Sequence, residues 1–109
     1  MDDISWDRGF ALEQAGDDED LLRELLTLFA GTVATNRQEI EKTLAAENWP
    51  QVARMAHSLK GAASSLGFGQ IADMANTIEE RARAGGDAAE AQQFLARLKA
   101  LEEKLPSLI

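Results

Sequence analysis

Apolar residues recur every three to four positions along most of the chain, and nowhere do they alternate persuasively with a period of two. Helices are therefore predicted throughout, and strands are not. The clearest stretch is Val52 to Leu66, V-A-R-M-A-H-S-L-K-G-A-A-S-S-L. At about 100° per residue, Val52, Met55, Ala56, Leu59, Ala62, Ala63 and Leu66 fall within an arc of roughly 120°, the usual width of a face packed on a core. The opposite stripe is His57, Lys60, Gly61 and Ser64, so the single histidine of the chain is predicted to point away from the core.

The remaining pattern supplies the partners of this helix. Ser5 to Ala15 reads as a short helix weakened by Gly9, with Trp6, Phe10 and Leu12 expected to cover one end of a bundle. Gly16 closes it, and in the acidic run Asp17 to Asp20 either Asp17 or Asp18 is expected to cap the next helix, the other carboxylates complementing its dipole. From Asp20 to about Ala46 a long amphipathic helix carries Leu22, Leu25, Leu26, Phe29, Val33, Asn36, Ile40 and Leu44 in one stripe, Asn36 being its only polar member. Leu21, Leu28 and Ala30 lie outside that stripe and either pack on the first helix or form part of a docking surface. Asn48 and Pro50 mark the start of the histidine helix, predicted over Pro50 to Leu66, because proline is tolerated in a first turn. Gly67-Phe68-Gly69 breaks it, with Phe68 expected to tuck back as an anchor. A further helix, Gln70 to Ala84, points Ile71, Met74, Ala75, Ile78 and Ala82 inward, and Gly85-Gly86-Asp87 reads as a stop followed by a cap. Phe94, Leu98, Leu101 and Leu105 define a last helix that Pro106 is expected to end. Four substantial helices with short connections predict an all-α fold, an antiparallel up-and-down four-helix bundle with a short extra N-terminal helix.

Composition narrows the functional classes. A length of 109 residues is that of one domain, residues 1–109, with one core. Nineteen acidic against eleven basic residues give a net charge of −8, and no basic cluster is present, so nucleic acid is not an expected partner. The absence of cysteine removes disulfides and thiolate metal sites. Apolar runs are far shorter than the roughly 20 residues that span a bilayer, and the M-D-D-I-S-W-D start is acidic where a secretory signal is basic. The expected location is the cytoplasm, with no membrane association.

Against this background the chemistry concentrates at His57. A mid-helix glycine costs about 0.5–1 kcal/mol relative to alanine, yet Gly61 sits one turn after the histidine on the solvent side, where packing does not require a missing side chain. Lys60 places a positive charge on the same face. A nucleophilic imidazole, an adjacent cation and bare backbone fit an anionic group carried on His57 while a second protein docks over it. Arg54 adds positive charge nearby, whereas Arg81 and Arg83 lie further along, and whether they face the same way is open at this point. A metal site would need further histidines or converging carboxylates, and a nucleophile-elbow pattern for a serine triad is missing.

The stretch A-H-S-L-K-G-A-A-S-S-L-G, Ala56 to Gly67, resembles the signature of the histidine-containing phosphotransfer (HPt) domains of phosphorelays. The resemblance extends over most of the chain, since L-L-R-E-L-L-T-L-F before it and I-A-D-M-A-N-T-I-E-E-R-A-R-A-G after it are similar to the flanking helices of that family. It implies a phosphorelay intermediate of two-component signalling without kinase activity of its own. The distal nitrogen of His57 would take a phosphoryl group from a receiver-domain aspartate and pass it to another. Lys60 would stabilise phosphoryl charge, and Gly61 would give clearance to the receiver. Ser64 would either bond phosphoryl oxygens or be a small solvated residue. Glu79 occupies a place where the family often has a polar residue orienting the imidazole, the other reading being a solvated helix glutamate. Expected partners are a response-regulator receiver domain and a hybrid sensor histidine kinase. No cofactor of its own is implied, magnesium being expected on the receiver. Receiver specificity would lie in residues ringing His57, such as Ala53, Arg54 and Ser64. A helical docking module that binds receivers or kinases without being phosphorylated is the alternative. An autonomous kinase would need an ATP-binding domain for which 109 residues leave no room. Because the helices suffice to close a bundle within one chain, a monomer is expected.

Overall fold

Among the described residues, four of five helices begin where a short polar side chain accepts a hydrogen bond from the otherwise free N–H groups of the first turn. The computed structural model describes residues 4–109; Met1 to Asp3, the beginning of the acidic N-terminal run, lie outside the described residues. Asp7 caps α1 (Arg8–Gln14), Asp18 caps α2 (Glu19–Ala45), Asn48 caps α3 (Trp49–Ser65) and Asp87 caps α5 (Ala88–Leu108). The start of α4 (Gly69–Arg83) has Phe68 in this position and no side-chain cap. Phe68 instead anchors the turn from inside, fully buried and stacked on Phe29 at 5.3 Å and Trp6 at 5.6 Å between ring centroids.

Helices α2 to α5 close a ring. α2 packs on α3, α3 on α4 most extensively, α4 on α5, and α5 back on α2. The short connections alternate the helix directions, giving the four-helix bundle with α1 added at one end. At about 1.5 Å per residue, a helix of the length of α2 spans about 40 Å, and the molecule is 41 Å long. The core is the sum of the inward stripes, with Leu26, Val33, Ile40, Val52, Leu59, Ile71, Phe94, Leu98 and Leu101 all essentially inaccessible to water. A second tie between α2 and α5 is polar, Arg37 bonding Glu102 at 2.5 Å and Glu41 at 2.5 Å. No helix among the described residues is long and apolar enough to cross a membrane.

Several sequence expectations are corrected. α1 starts at Arg8 rather than Ser5, because Asp7 takes the capping role. The segment before it is held by Asp7 N–H donating to Gly67 O at 2.9 Å and Trp6 Nε1–H donating to Leu66 O at 2.8 Å. Trp6 and Leu12 pack on the core as expected, but Phe10 is 40% exposed, and Ile4, Ala11 and Ala15 are the buried residues there. Leu21 and Leu28 stay exposed, Leu28 bordering a groove shared with Gln14 of α1, while Ala30 packs partly buried against the core. Asn36 is only half-buried within its stripe. Pro106 does not end α5, which runs on to Leu108. Proline forfeits one N–H donor near a helix end, and the burial of Leu105 and partial burial of Leu108 against the core outweigh that loss.

Two glycines are required by a close approach, Gly67, with φ +83° and a Cβ position 2.5 Å from Asp7 O, and Gly86. Gly86 has φ +104°, and a Cβ there would lie 2.1 Å from Cε2 of Trp49, the first residue of α3. Gly86→Ala is expected to destabilise the fold by about 2–4 kcal/mol, combining a left-handed penalty with overpacking. Gly85 has φ +117° but open space around its Cβ, so Gly85→Ala should cost only the conformational part, about 1–2 kcal/mol. Urea denaturation followed by tryptophan fluorescence would measure both, and equal costs would show that the Trp49 contact is not tight.

Candidate functional site

The site lies across α3 and α4, the most extensively packed pair in the bundle. On α3, His57 and Lys60 are three residues apart and share a face. On α4, Asn76, Glu79 and Arg83 are spaced by three and four and share the face that meets them. Glu79 is the one buried charged residue among the described residues, with its side chain 10% exposed.

A buried carboxylate requires compensation, and Glu79 has it from three sides. Lys60 Nζ donates to Oε1 at 2.9 Å, and Arg83 Nη2 and Nε donate to Oε2 at 2.8 and 3.2 Å. His57 Nδ1 lies 3.0 Å from Oε2 and 3.2 Å from Oε1. Lys60 also donates to Asn76 Oδ1 at 3.2 Å. The hydrogen bond from Lys60, then that from Arg83, pulls the carboxyl of Glu79 down to about 2, with a smaller contribution from His57 and against the opposing effect of burial.

This protonation state fixes the imidazole. An ionised carboxylate only accepts hydrogen bonds, so Nδ1 carries the proton of the bond to Glu79. The imidazole is 63% exposed, and no described residue bonds Nε2. The arrangement presents an oriented, outward-facing imidazole whose proximal N–H is held by the Glu79 carboxylate, itself held by two cations.

The structure brings His57, Lys60 and Glu79 into direct contact, and Glu79 is buried rather than solvated. Gly61 and Ser64 lie exposed on the same stripe but outside the hydrogen-bonded cluster. A Cβ added at Gly61 would meet nothing within 4 Å. Ser64 borders an open groove shared with Trp6 and Arg8. Ala53 is buried, so it is not part of the ring around His57 that a partner could touch. Arg54 is exposed and donates to Gln51 Oε1 at 2.5 and 2.9 Å. Asn76 joins the cluster without having been singled out, and Arg83, whose facing the sequence left open, joins it too; their spacing of −3 and +4 from Glu79 was the available signal. Arg81 turns away to Asp87, 3.8 Å distant.

Comparisons with known proteins bear on the fold and the family. Among curated proteins, none matches the chain. Among solved structures, the fold is similar to histidine-containing phosphotransfer protein B (HptB) from Pseudomonas aeruginosa PAO1, with a TM-score of 0.83 and 21% identity, over 98% of this chain and 92% of that one. It is also similar to the HPT domain of an Hpt sensor hybrid histidine kinase from Shewanella, with a TM-score of 0.82 and 18% identity, over 94% of this chain and 92% of that one. At such identities the likeness is one of fold. The Hpt domain family itself matches residues 24–107, a span that includes His57, Lys60, Glu79 and Arg83. The chain therefore belongs to the Hpt domain family, whose role is phosphotransfer in two-component signalling.

Proposed function

We propose that His57 accepts a phosphoryl group from the aspartyl phosphate of a receiver domain and passes it to another receiver aspartate, the chain acting as a carrier without kinase activity. The observation that carries this reading is the exposed imidazole whose Nδ1 is bonded to buried Glu79, leaving Nε2 as the nucleophile. In the accepting step Nε2 attacks phosphorus, an N–P bond forms, and the P–O bond to the aspartate breaks, releasing a carboxylate. The ring gains positive charge as the N–P bond forms, and the Glu79 carboxylate at Nδ1 offsets it. Phosphoryl transfer depends mainly on positioning and on neutralising spread negative charge. Lys60, partly exposed beside the ring, supplies charge from this side, while the receiver brings its magnesium ion and its own lysine.

The surface around His57 suits a docked protein. Gly61 leaves open space on the stripe, and an apolar groove between α2 and α3, lined by Leu25, Leu28, Phe29, Ala62 and Leu66, runs beside the same turn. Leu28, 69% exposed, gives that groove an apolar rim. Partners of this chemistry are a response-regulator receiver and the receiver of a hybrid sensor histidine kinase, met by a cytoplasmic monomer.

The test is incubation of the purified chain with a panel of radiolabelled phospho-receivers and hybrid kinases. Acid-labile, alkali-stable label is expected on the chain, with transfer slowed in Lys60→Ala. Receiver binding with no label from any donor would instead support a docking module. Gly61 separates docking from folding. Gly61→Ala is expected to stabilise the helix by about 0.5–1 kcal/mol, whereas Gly61→Gln should leave the fold intact and slow transfer about tenfold or more by displacing the receiver. Unchanged transfer kinetics in Gly61→Gln would remove the clearance role.

A further inference from the structure

Resting on the phosphocarrier reading, we infer that Arg83 is a positioning residue for His57, acting through Glu79 to keep the imidazole neutral and nucleophilic while its ring remains held. The argument starts from a conflict in the cluster. A lone carboxylate bonded to Nδ1–H orients the ring, but its negative charge also favours a second proton on Nε2. That proton would occupy the lone pair that has to attack phosphorus. The carboxylate of Glu79 avoids the conflict only if its charge is largely offset.

Offsetting comes from two sides. Lys60 on α3 occupies Oε1. Arg83 on α4 occupies Oε2, the oxygen nearest His57 Nδ1, through both Nη2 and Nε. With Glu79 negative, Lys60 and Arg83 positive and the ring neutral, the cluster carries a net positive charge. Among the described residues, Lys60, His57 and Arg83 form ion pairs with Glu79 alone. Arg54, one turn before His57 on α3, is the other cation of that face, and its guanidinium is engaged by Gln51. No ion pair reaches the cluster from α2 or α5 among the described residues. Removing Arg83 therefore leaves Lys60 as the only counter-charge on Glu79.

An arginine in the last turn of a helix ordinarily complements the helix dipole and adds an i,i+4 pair. That role alone changes stability and leaves the ring's protonation untouched, which makes the two roles separable. The single histidine allows its ring nitrogens to be followed by ¹⁵N NMR without assignment ambiguity. In Arg83→Gln, the pH at which the ring takes up its second proton is expected to rise by about half a unit, the modest size reflecting the exposure of Arg83, and Arg83→Lys should restore it. Transfer from one phospho-receiver should then show its acid limb moved to higher pH, several-fold slower below neutrality, with a plateau above pH 8 equal to or higher than that of the unsubstituted chain. In a Glu79→Gln background, Arg83→Gln should move neither the titration nor the profile.

An unmoved titration, or a rate loss of the same size at every pH and in the Glu79→Gln background, would overturn the inference. The second pattern would place Arg83 on the phosphoryl group or the receiver instead. Failure of every receiver to label the unsubstituted chain would sink the carrier reading, and the NMR titration, which needs no receiver, would still decide whether Arg83 acts on the ring.

Discussion

His57→Gln is expected to abolish acid-labile labelling, lowering phosphoryl uptake by at least about three orders of magnitude, the scale on which loss of an essential nucleophile acts. His57 is the only histidine in the chain, so no second imidazole can substitute. The cysteine-free sequence leaves no thiol either. Glutamine retains an amide that can donate to Glu79 but has no lone pair comparable in nucleophilicity to that of Nε2. The fold should survive, because the lost ring is largely exposed and forms a single type of contact, with Glu79. A net contribution of about 0.5–1.5 kcal/mol is the scale for such a hydrogen bond. Unchanged receiver binding with no label would show that the loss is chemical. Label persisting on His57→Gln would move the phosphorylated residue elsewhere and remove the central element of the proposed function.

Glu79→Ala is expected to slow transfer by about 10- to 100-fold, the range seen when the group orienting a functional histidine is removed. Alanine frees the imidazole to rotate and to exchange its proton between nitrogens. It also removes the charge that compensates the ring as the N–P bond forms. The stability loss should be smaller, about 1–2 kcal/mol. Breaking a fully buried pair costs about 3–5 kcal/mol by leaving a buried charge uncompensated, but Arg83 is exposed and Lys60 partly so, and both can turn to water.

The pH dependence distinguishes the carboxylate from its shape. The carboxyl of Glu79 is lowered from 4.5 to about 2 by Lys60 and Arg83. A group whose folded value lies below its unfolded one stabilises the fold above the unfolded value, and this contribution fades as pH falls towards the folded value. The part of the stability difference between the unsubstituted chain and Glu79→Gln that belongs to the carboxyl's own titration should therefore be fully present at about pH 5 and shrink between about pH 4.5 and 2. Urea midpoints taken across that range would measure it. A difference that does not change with pH would show that Glu79 contributes packing and hydrogen bonds without charge.

Much of this was legible in the chain because helical periodicity is a local property. The stripe from Val52 to Leu66 placed His57, Lys60, Gly61 and Ser64 on one face, and the caps at Asp18, Asn48 and Asp87 fall where polar residues precede apolar repeats. Phe68 between two glycines announced an anchor, and it is fully buried. The failures occur where a local rule competes with packing. Pro106 should stop a helix, but Leu105 and Leu108 have core to cover on either side of it. Ala53 falls by its spacing outside the apolar arc, between Lys60 and Ser64, where a small side chain gives no polarity signal, and it is nevertheless buried.

The sequence by itself determined the helices, their inward faces and the outward face that carries His57, since each follows from spacing along one element. Only the tertiary structure decided what the nucleophile touches. Glu79, Asn76 and Arg83 are separated from His57 by a turn and lie on another helix, so their contacts depend on how α4 is rotated against α3. Whether a glutamate on an amphipathic helix faces water or is buried between two cations is a question of energy between elements. Periodicity does not encode it, and here it fixes the proton on Nδ1 and leaves Nε2 to react.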